Sequence, residues 1–309
     1  LFTQTRARSY AKFRARFKVI KMNYTHPEYL ISSEELQKII GNDNVKVFDT
    51  SVLLHQVDGA HKAESGIEAY LEEHIQGAGF IDLINDWSDT DSALNHTLPP
   101  LDALCKAIGD SGISQDDEVI LYSSGHLMWA TRAWWCLHYA GHTNIKVLNG
   151  NIRAWQKAGL PCESGRNVFA KTEFSGSPKS AVFTNTQGVE AGLAQNTCTI
   201  NALTTPLYEG TGDFFYKRRG HIPGSLSLPF SDVLDNEFFL EPEALAATLE
   251  RQGMLSAENV IVYCGGGIAA TLDAFACKLL GQDKVSVYDG SMSEWVLSED
   301  RTLTVGANP

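Results

Sequence analysis

The stretch VIVYCGGGIAATLDAFA, residues 260–276, decides the fold class. Val260 to Tyr263 is a short unbroken apolar run, as a strand covered on both faces requires. Cys264 closes it, Gly265, Gly266 and Gly267 follow, and a helical apolar stretch begins near Ala269 or Ala270. Strand, bare loop and helix make half of a parallel βαβ unit. In an open parallel sheet, ligands bind beyond the carboxyl ends of the strands, which is where this loop puts its cysteine. The glycines let the backbone curl and turn its N–H groups inward. The helix adds its positive end, so the loop Gly265–Ala270 forms an anion site. A sulfur at the centre of such a site favours the thiolate, the nucleophilic form.

The pattern occurs twice. VILYSSGHLMWATRAWWCLHYAGHTNIKVLNGNIRAW (119–155) runs alongside VIVYCGGGIAATLDAFACKLLGQDKVSVYDGSMSEW (260–295). Ser123 matches Cys264, Gly150 matches Gly290 and Trp155 matches Trp295. Upstream, EEHIQGAGFIDL (72–83) matches RGHIPGSLSLPF (219–230), and VKVFDTS (45–51) matches CTINALT (198–204). Long internal self-similarity is the mark of a repeated structural unit. The expectation is an α/β protein of two tandem domains, each a mainly parallel sheet with helices on both faces and right-handed crossovers. The expected boundaries are a basic tail at 1–27, a first domain at 28–163, a linker at 164–181 rich in Ser, Gly, Lys and Asn, and a second domain at 182–309.

Composition narrows the function. A net charge of −12 argues against a general nucleic-acid binder, and no apolar run approaches a membrane span. Six cysteines at 105, 136, 162, 198, 264 and 277 show neither CxxC nor zinc-type spacing, and read as reduced intracellular thiols. Cys105, Cys136 and Cys277 sit on apolar helical faces, where an inert buried thiol is expected. The expected location is cytoplasmic. Residues 1–21 carry seven Lys or Arg and no acid, so a mitochondrial address is the alternative if they form a native leader. The reading taken is that the native protein starts at Met22.

Rival chemistries fit the loop poorly. CGGGIAAT lacks the GxGxxG register and the Lys–Ser/Thr of a phosphate-binding P-loop. A cysteine phosphatase needs an arginine soon after the loop to clamp phosphoryl oxygens, and Ala269, Ala270, Thr271 and Leu272 stand there instead. A silent domain would have no need of three glycines beside an intact cysteine.

With HIPGS (221–225), YCGGGIAA (263–270), VYDGSMSEW (287–295), HIQGA and GNIRAWQKAGLP (150–161) in place, the chain resembles the tandem-domain rhodaneses, the thiosulfate/3-mercaptopyruvate sulfurtransferases. The resemblance spans about Leu30 to Trp295. It implies a silent first domain and a catalytic second one, with Cys264 taking sulfur from a small anionic donor to become a persulfide. A thiol, cyanide or a thioredoxin-like protein would then accept the sulfur, with no metal or organic cofactor. Gly265, Gly266, Gly267, Ile268, Ala269 and Ala270 would cradle the persulfide. The neutral loop leans towards 3-mercaptopyruvate, although Gly266 and Ala269 stand where that branch has serine and threonine. Asn201, Leu203 and Leu207 stand where relatives carry Asp, Arg and Arg, so Arg218 and Arg219 are the cations left to bind the donor; Lys217 reads as a solvated turn residue. The other readings are a persulfide relay fed by a partner protein and a silent interaction protein. Trp134 and Trp135 are expected to pack in a core or domain interface, His74 and His221 to stabilise turns, and Asp289 to tie the following turn. Trp87 is a candidate for the interdomain cleft.

Overall fold

The structure, a computed structural model, describes residues 23–57, 60–212, 216 and 218–309. Residues 1–21 of the basic tail and Lys217 lie outside the described residues. The first half runs β1 (Leu30–Ile31), α1 (Ser33–Ile39), β2 (Val45–Asp49), α2 (Ile67–Glu72), β3 (Gly79–Phe80), α3 (Leu101–Asp110), β4 (Glu118–Tyr122), α4 (Met128–Tyr139), β5 (Ile145–Leu148) and α5 (Asn151–Lys157). The second runs β6 (Phe183–Thr184), α6 (Thr186–Ala194), β7 (Cys198–Asn201), α7 (Thr205–Tyr208), β8 (Leu226–Ser227), α8 (Pro242–Glu250), β9 (Val260–Tyr263), α9 (Ala270–Leu279), β10 (Val285–Tyr288) and α10 (Ser291–Trp295). The sheets have the same order, β1-β5-β4-β2-β3 and β6-β10-β9-β7-β8, with every neighbouring pair parallel.

Side-chain alternation shows that both sheet faces are covered. Along β4, Val119 and Leu121 enter one apolar cluster while Ile120 and Tyr122 enter another. The first of these clusters continues without a break into the second half, through α4 and α9. Trp134 packs edge-on against Phe275 at 5.1 Å, and the Trp135 indole N–H donates to the Thr271 carbonyl at 3.1 Å. Large aromatic rings bring about 4–6 kcal/mol each in gross burial, so the tryptophans fix one half against the other, as their sequence context suggests.

The repeat is real, but its upstream register needs correction. Asp49 pairs with Tyr122 and Asn201 pairs with Tyr263, so Asp49 and Asn201 are equivalent. Matching VKVFDTS to CTINALT residue for residue is one position out. Such a slip would send every side chain to the opposite face. In the observed register Phe48 and Ile200 both face the shared core.

Both HIxG turns use the same device. The His74 ring bonds the Tyr70 carbonyl at 2.7 Å and stacks on that tyrosine, and His221 does the same with Tyr208 at 2.8 Å. The Ile75 and Ile222 N–H groups donate to the hydroxyls of Tyr122 and Tyr263. Both histidines are structural. Trp87 is buried, with its indole directed at Ser111, and does not line a cleft.

Asp273 on α9 is a carboxylate set in an apolar core. It is fully buried, and among the described residues neither carboxylate oxygen has a hydrogen-bond partner. Burial, with a further push from Asp232, raises its pKa well above the ordinary carboxylate value. The folded state therefore holds its proton where the unfolded chain releases it. No cost arises below the unfolded carboxylate range; stability falls as pH rises from there to the raised folded value. The slope in that window is about 1.4 kcal/mol per pH unit. Asp273→Asn should remove it, so urea midpoints measured from pH 4.5 upward should diverge in favour of the variant. Parallel curves would show that Asp273 is not held protonated.

Candidate active site

Cys264 follows β9, between β7 and β10, at the carboxyl edge of the second sheet. Its own N–H donates to the Ser291 hydroxyl at 3.0 Å, and that hydroxyl donates to the Tyr288 carbonyl at 2.7 Å. The loop carbonyls are drawn back towards their surroundings. Met292 N–H donates to Cys264 O at 3.1 Å, and the Ser293 N–H and hydroxyl donate to Gly265 O at 2.9 and 2.6 Å. Thr271 donates to Ile268 O through its N–H at 3.0 Å and its hydroxyl at 2.7 Å. Among the described residues, no partner accepts from the N–H groups of Gly265, Gly266, Gly267, Ile268 or Ala269. Ala270 opens α9. Donors left in this way around a loop that leads into a helix N-terminus can receive an anion.

Two of the glycines have different physical duties. Gly267 has φ +75°, and a Cβ there would come 2.3 Å from the Asp289 carbonyl oxygen. At Gly266 the nearest atoms to a Cβ would be Asn95 O at 3.8 Å and the Ser293 hydroxyl at 3.9 Å, an ordinary contact distance. Gly267 is therefore fixed by the fold, whereas Gly266 tolerates a side chain.

The equivalent loop in the first half is filled from within. Ser123 N–H donates to Asn151 Oδ1, as Cys264 N–H does to Ser291. Ser124 N–H then donates to the Ser51 hydroxyl at 2.6 Å, and Gly125 N–H to the Ser123 hydroxyl at 3.0 Å. Asp49 accepts from the Ser51 and Ser124 hydroxyls beneath them. Burial raises the Asp49 pKa, with these hydrogen bonds opposing. Two of the N–H groups that would hold an anion, those of Ser124 and Gly125, are committed to hydroxyls, and a serine stands where the second half has its cysteine.

Each half roofs the other. Asp289 does not tie its own turn: Oδ2 accepts from Leu98 N–H at 2.7 Å, and Oδ1 pairs with Arg132 at 2.7 Å, both from the first half. In return, Asn149 Oδ1 accepts from Phe239 N–H at 3.0 Å. Arg132 is 2% exposed, and it also donates to Gly267 O at 3.3 Å and to His96 O at 2.8 Å. Burial works against its charge, yet Asp289 holds its pKa above the ordinary value. Burial, and then Arg132, hold the nearby His96 down at about 4, so that ring is neutral at physiological pH. Under this roof Cys264 is 2% exposed.

The sequence-derived cations are not brought together. Arg218 donates to the carbonyls of Val296, Ser298 and Arg301, which commits both terminal nitrogens to the C-terminal turn. Arg219 is exposed beside the His221 turn. Leu203 is buried and Leu207 half-buried. Sequence reasoning missed Arg132 and Tyr216. Arg132 had a signal: it is a charge within MWATRAWWCLHY, a helix otherwise apolar on nearly every side. Tyr216 is half-buried, its pKa raised by burial and then by the charge of Cys264.

Comparison with known proteins identifies the family. The model of the Rhodanese-like domain family matches residues 32–158 and 206–298. A probable 3-mercaptopyruvate sulfurtransferase of Pseudomonas aeruginosa is 30% identical over 287 residues, covering 90% of this chain and 98% of its own. A putative thiosulfate sulfurtransferase, SseB, of Mycobacterium tuberculosis is 32% identical, covering 90% of this chain and 97% of its own. The crystal structure of SseA from Escherichia coli, a 3-mercaptopyruvate enzyme of rhodanese fold, superposes with a TM-score of 0.77 at 27% identity. It covers 85% of this chain and 98% of SseA.

Proposed function

Because the chain belongs to the rhodanese-like family and is a sulfurtransferase, we propose that Cys264 carries sulfur from a small anionic donor to a nucleophilic acceptor. The observation that supports this most is the set of unpartnered N–H groups around that cysteine. In the first step the Cys264 thiolate attacks the donor's outer sulfur. With 3-mercaptopyruvate, the sulfur–carbon bond breaks and its electron pair leaves with pyruvate enolate, which takes up a proton. With thiosulfate, the sulfur–sulfur bond breaks and sulfite leaves. The persulfide anion left on Cys264 is stabilised by N–H groups that need not reorganise. In the second step cyanide or a thiol attacks the terminal sulfur and returns the thiolate. The residues that do this belong to the second half; the first half supplies the roof.

3-Mercaptopyruvate is the favoured donor, because no side-chain cation stands in the loop to meet the second charge of thiosulfate. A cysteine only 2% exposed also suits a small donor better than a protein-borne one. Steady-state assays of pyruvate release and of sulfite release, with cyanide or dithiothreitol as acceptor, decide the donor. Release from neither would overturn the reading.

Arg219, exposed beside the His221 turn, is the proposed donor contact. An exposed charge contact contributes up to about 1 kcal/mol, or about fivefold in affinity. Arg219→Ala should therefore raise the donor KM by up to about fivefold and leave kcat nearly unchanged. An unaltered KM would remove Arg219 from the site.

A further inference from the structure

The aim of each N–H group in the cradle depends on what holds the carbonyl before it. A peptide unit is planar and trans, so fixing the C=O of one residue fixes the N–H of the next in the opposite direction. Met292 holding Cys264 O aims the Gly265 N–H; Ser293 holding Gly265 O aims that of Gly266; Thr271 holding Ile268 O aims that of Ala269. These anchors belong to the half that carries the cysteine. The central peptide is different, because Gly267 O is held by Arg132 of the other half.

From this we infer that Arg132 is a positioning residue for sulfur transfer: by holding Gly267 O it aims the Ile268 N–H at the Cys264 sulfur, so the half without a cysteine completes the site. The inference rests on the proposed role of Cys264. Burying a guanidinium carries a large desolvation cost, and interdomain adhesion alone could be had from apolar residues. The planar fork explains the choice of arginine. One group reaches Asp289 Oδ1, Gly267 O and His96 O together, which a lysine's single ammonium cannot do in that geometry. Thr131 of the same helix adds a second tie: its hydroxyl meets that of Thr271 at 2.7 Å, and Thr271 holds Ile268 O.

The test uses the full chain with the paired substitution Arg132→Leu and Asp289→Asn, and with Arg132→Lys alone. The pair removes one positive and one negative charge, so net charge is unchanged, and asparagine can still accept from Leu98 N–H. Three quantities are measured: kcat and KM with the better donor, the urea midpoint, and the ratio of Cys264 alkylation rates by iodoacetate and iodoacetamide. That ratio reads how well the loop receives an anion and needs no turnover. The pair should lower kcat on the order of 100-fold, as misplacing one preorganised donor by about an ångström does, with KM nearly unchanged. The ratio should fall by several-fold, and lysine should lie between. A folded variant with unchanged kcat and ratio, whatever its urea midpoint, would make Arg132 interdomain adhesion and overturn the inference. If the pair does not fold, Arg132→Lys decides by the same two quantities. Should the wild type prove unable to form a persulfide, the functional reading falls, and the alkylation ratio still reports whether Arg132 shapes the loop.

Discussion

Gly267→Ala is expected to disable the enzyme while Gly266→Ala leaves it working. At position 267 a methyl group would meet the Asp289 carbonyl oxygen at 2.3 Å, and φ is +75°. Left-handed backbone costs a residue with a Cβ about 1–2 kcal/mol. The clash is with backbone, so no rotamer change relieves it, and the total should reach about 2–4 kcal/mol. The peptide that must move carries the Ile268 N–H. A displacement of about an ångström at such a group costs on the order of 100-fold in rate. At position 266 the nearest atoms stand at 3.8 and 3.9 Å, so alanine there should fall within about 0.5 kcal/mol of wild type. Urea denaturation with donor kinetics on the two variants checks the contrast. Equal behaviour would mean that the loop is not held against the Asp289 backbone.

Cys264→Ser is expected to abolish transfer with the fold intact. A serine hydroxyl at neutral pH is a poor nucleophile without an adjacent base, and no persulfide can form on oxygen. The loss should exceed about 1,000-fold. The fold should survive because the first half already accommodates a buried serine at the equivalent position, with its N–H donating to a side-chain oxygen. Retained transfer in Cys264→Ser would take the nucleophile's role from this residue.

The fold was legible because two signals agreed along the chain. The apolar run of β9 and its glycine loop read as a buried parallel strand and a ligand edge, and the repeat supplied the second domain. What stayed illegible was contact between distant segments. Asp289 precedes a glycine, and a local turn was the economical reading; its partners, Leu98 and Arg132, lie in the other half. Arg218 next to HIPGS read as a donor-binding cation, but the C-terminal carbonyls that claim it are some eighty residues away. The one-residue register difference between β2 and β7 was hidden because Val47 and Ile200 look equivalent by type, while the pleat matches Phe48 with Ile200. Local patterning finds strands and helices; it carries little information on which buried charge meets which carbonyl across an interface.

The central claim is that Cys264 carries sulfur, and intact-protein mass spectrometry tests it most directly. The wild type and Cys264→Ser are each incubated with 3-mercaptopyruvate and, separately, with thiosulfate, without an acceptor. The account expects the wild type to gain the mass of one sulfur atom, more completely with 3-mercaptopyruvate, and to lose it when cyanide is added. Cys264→Ser should show no gain. A wild type that stays at its original mass with both donors, or a gain that persists in Cys264→Ser, would contradict it.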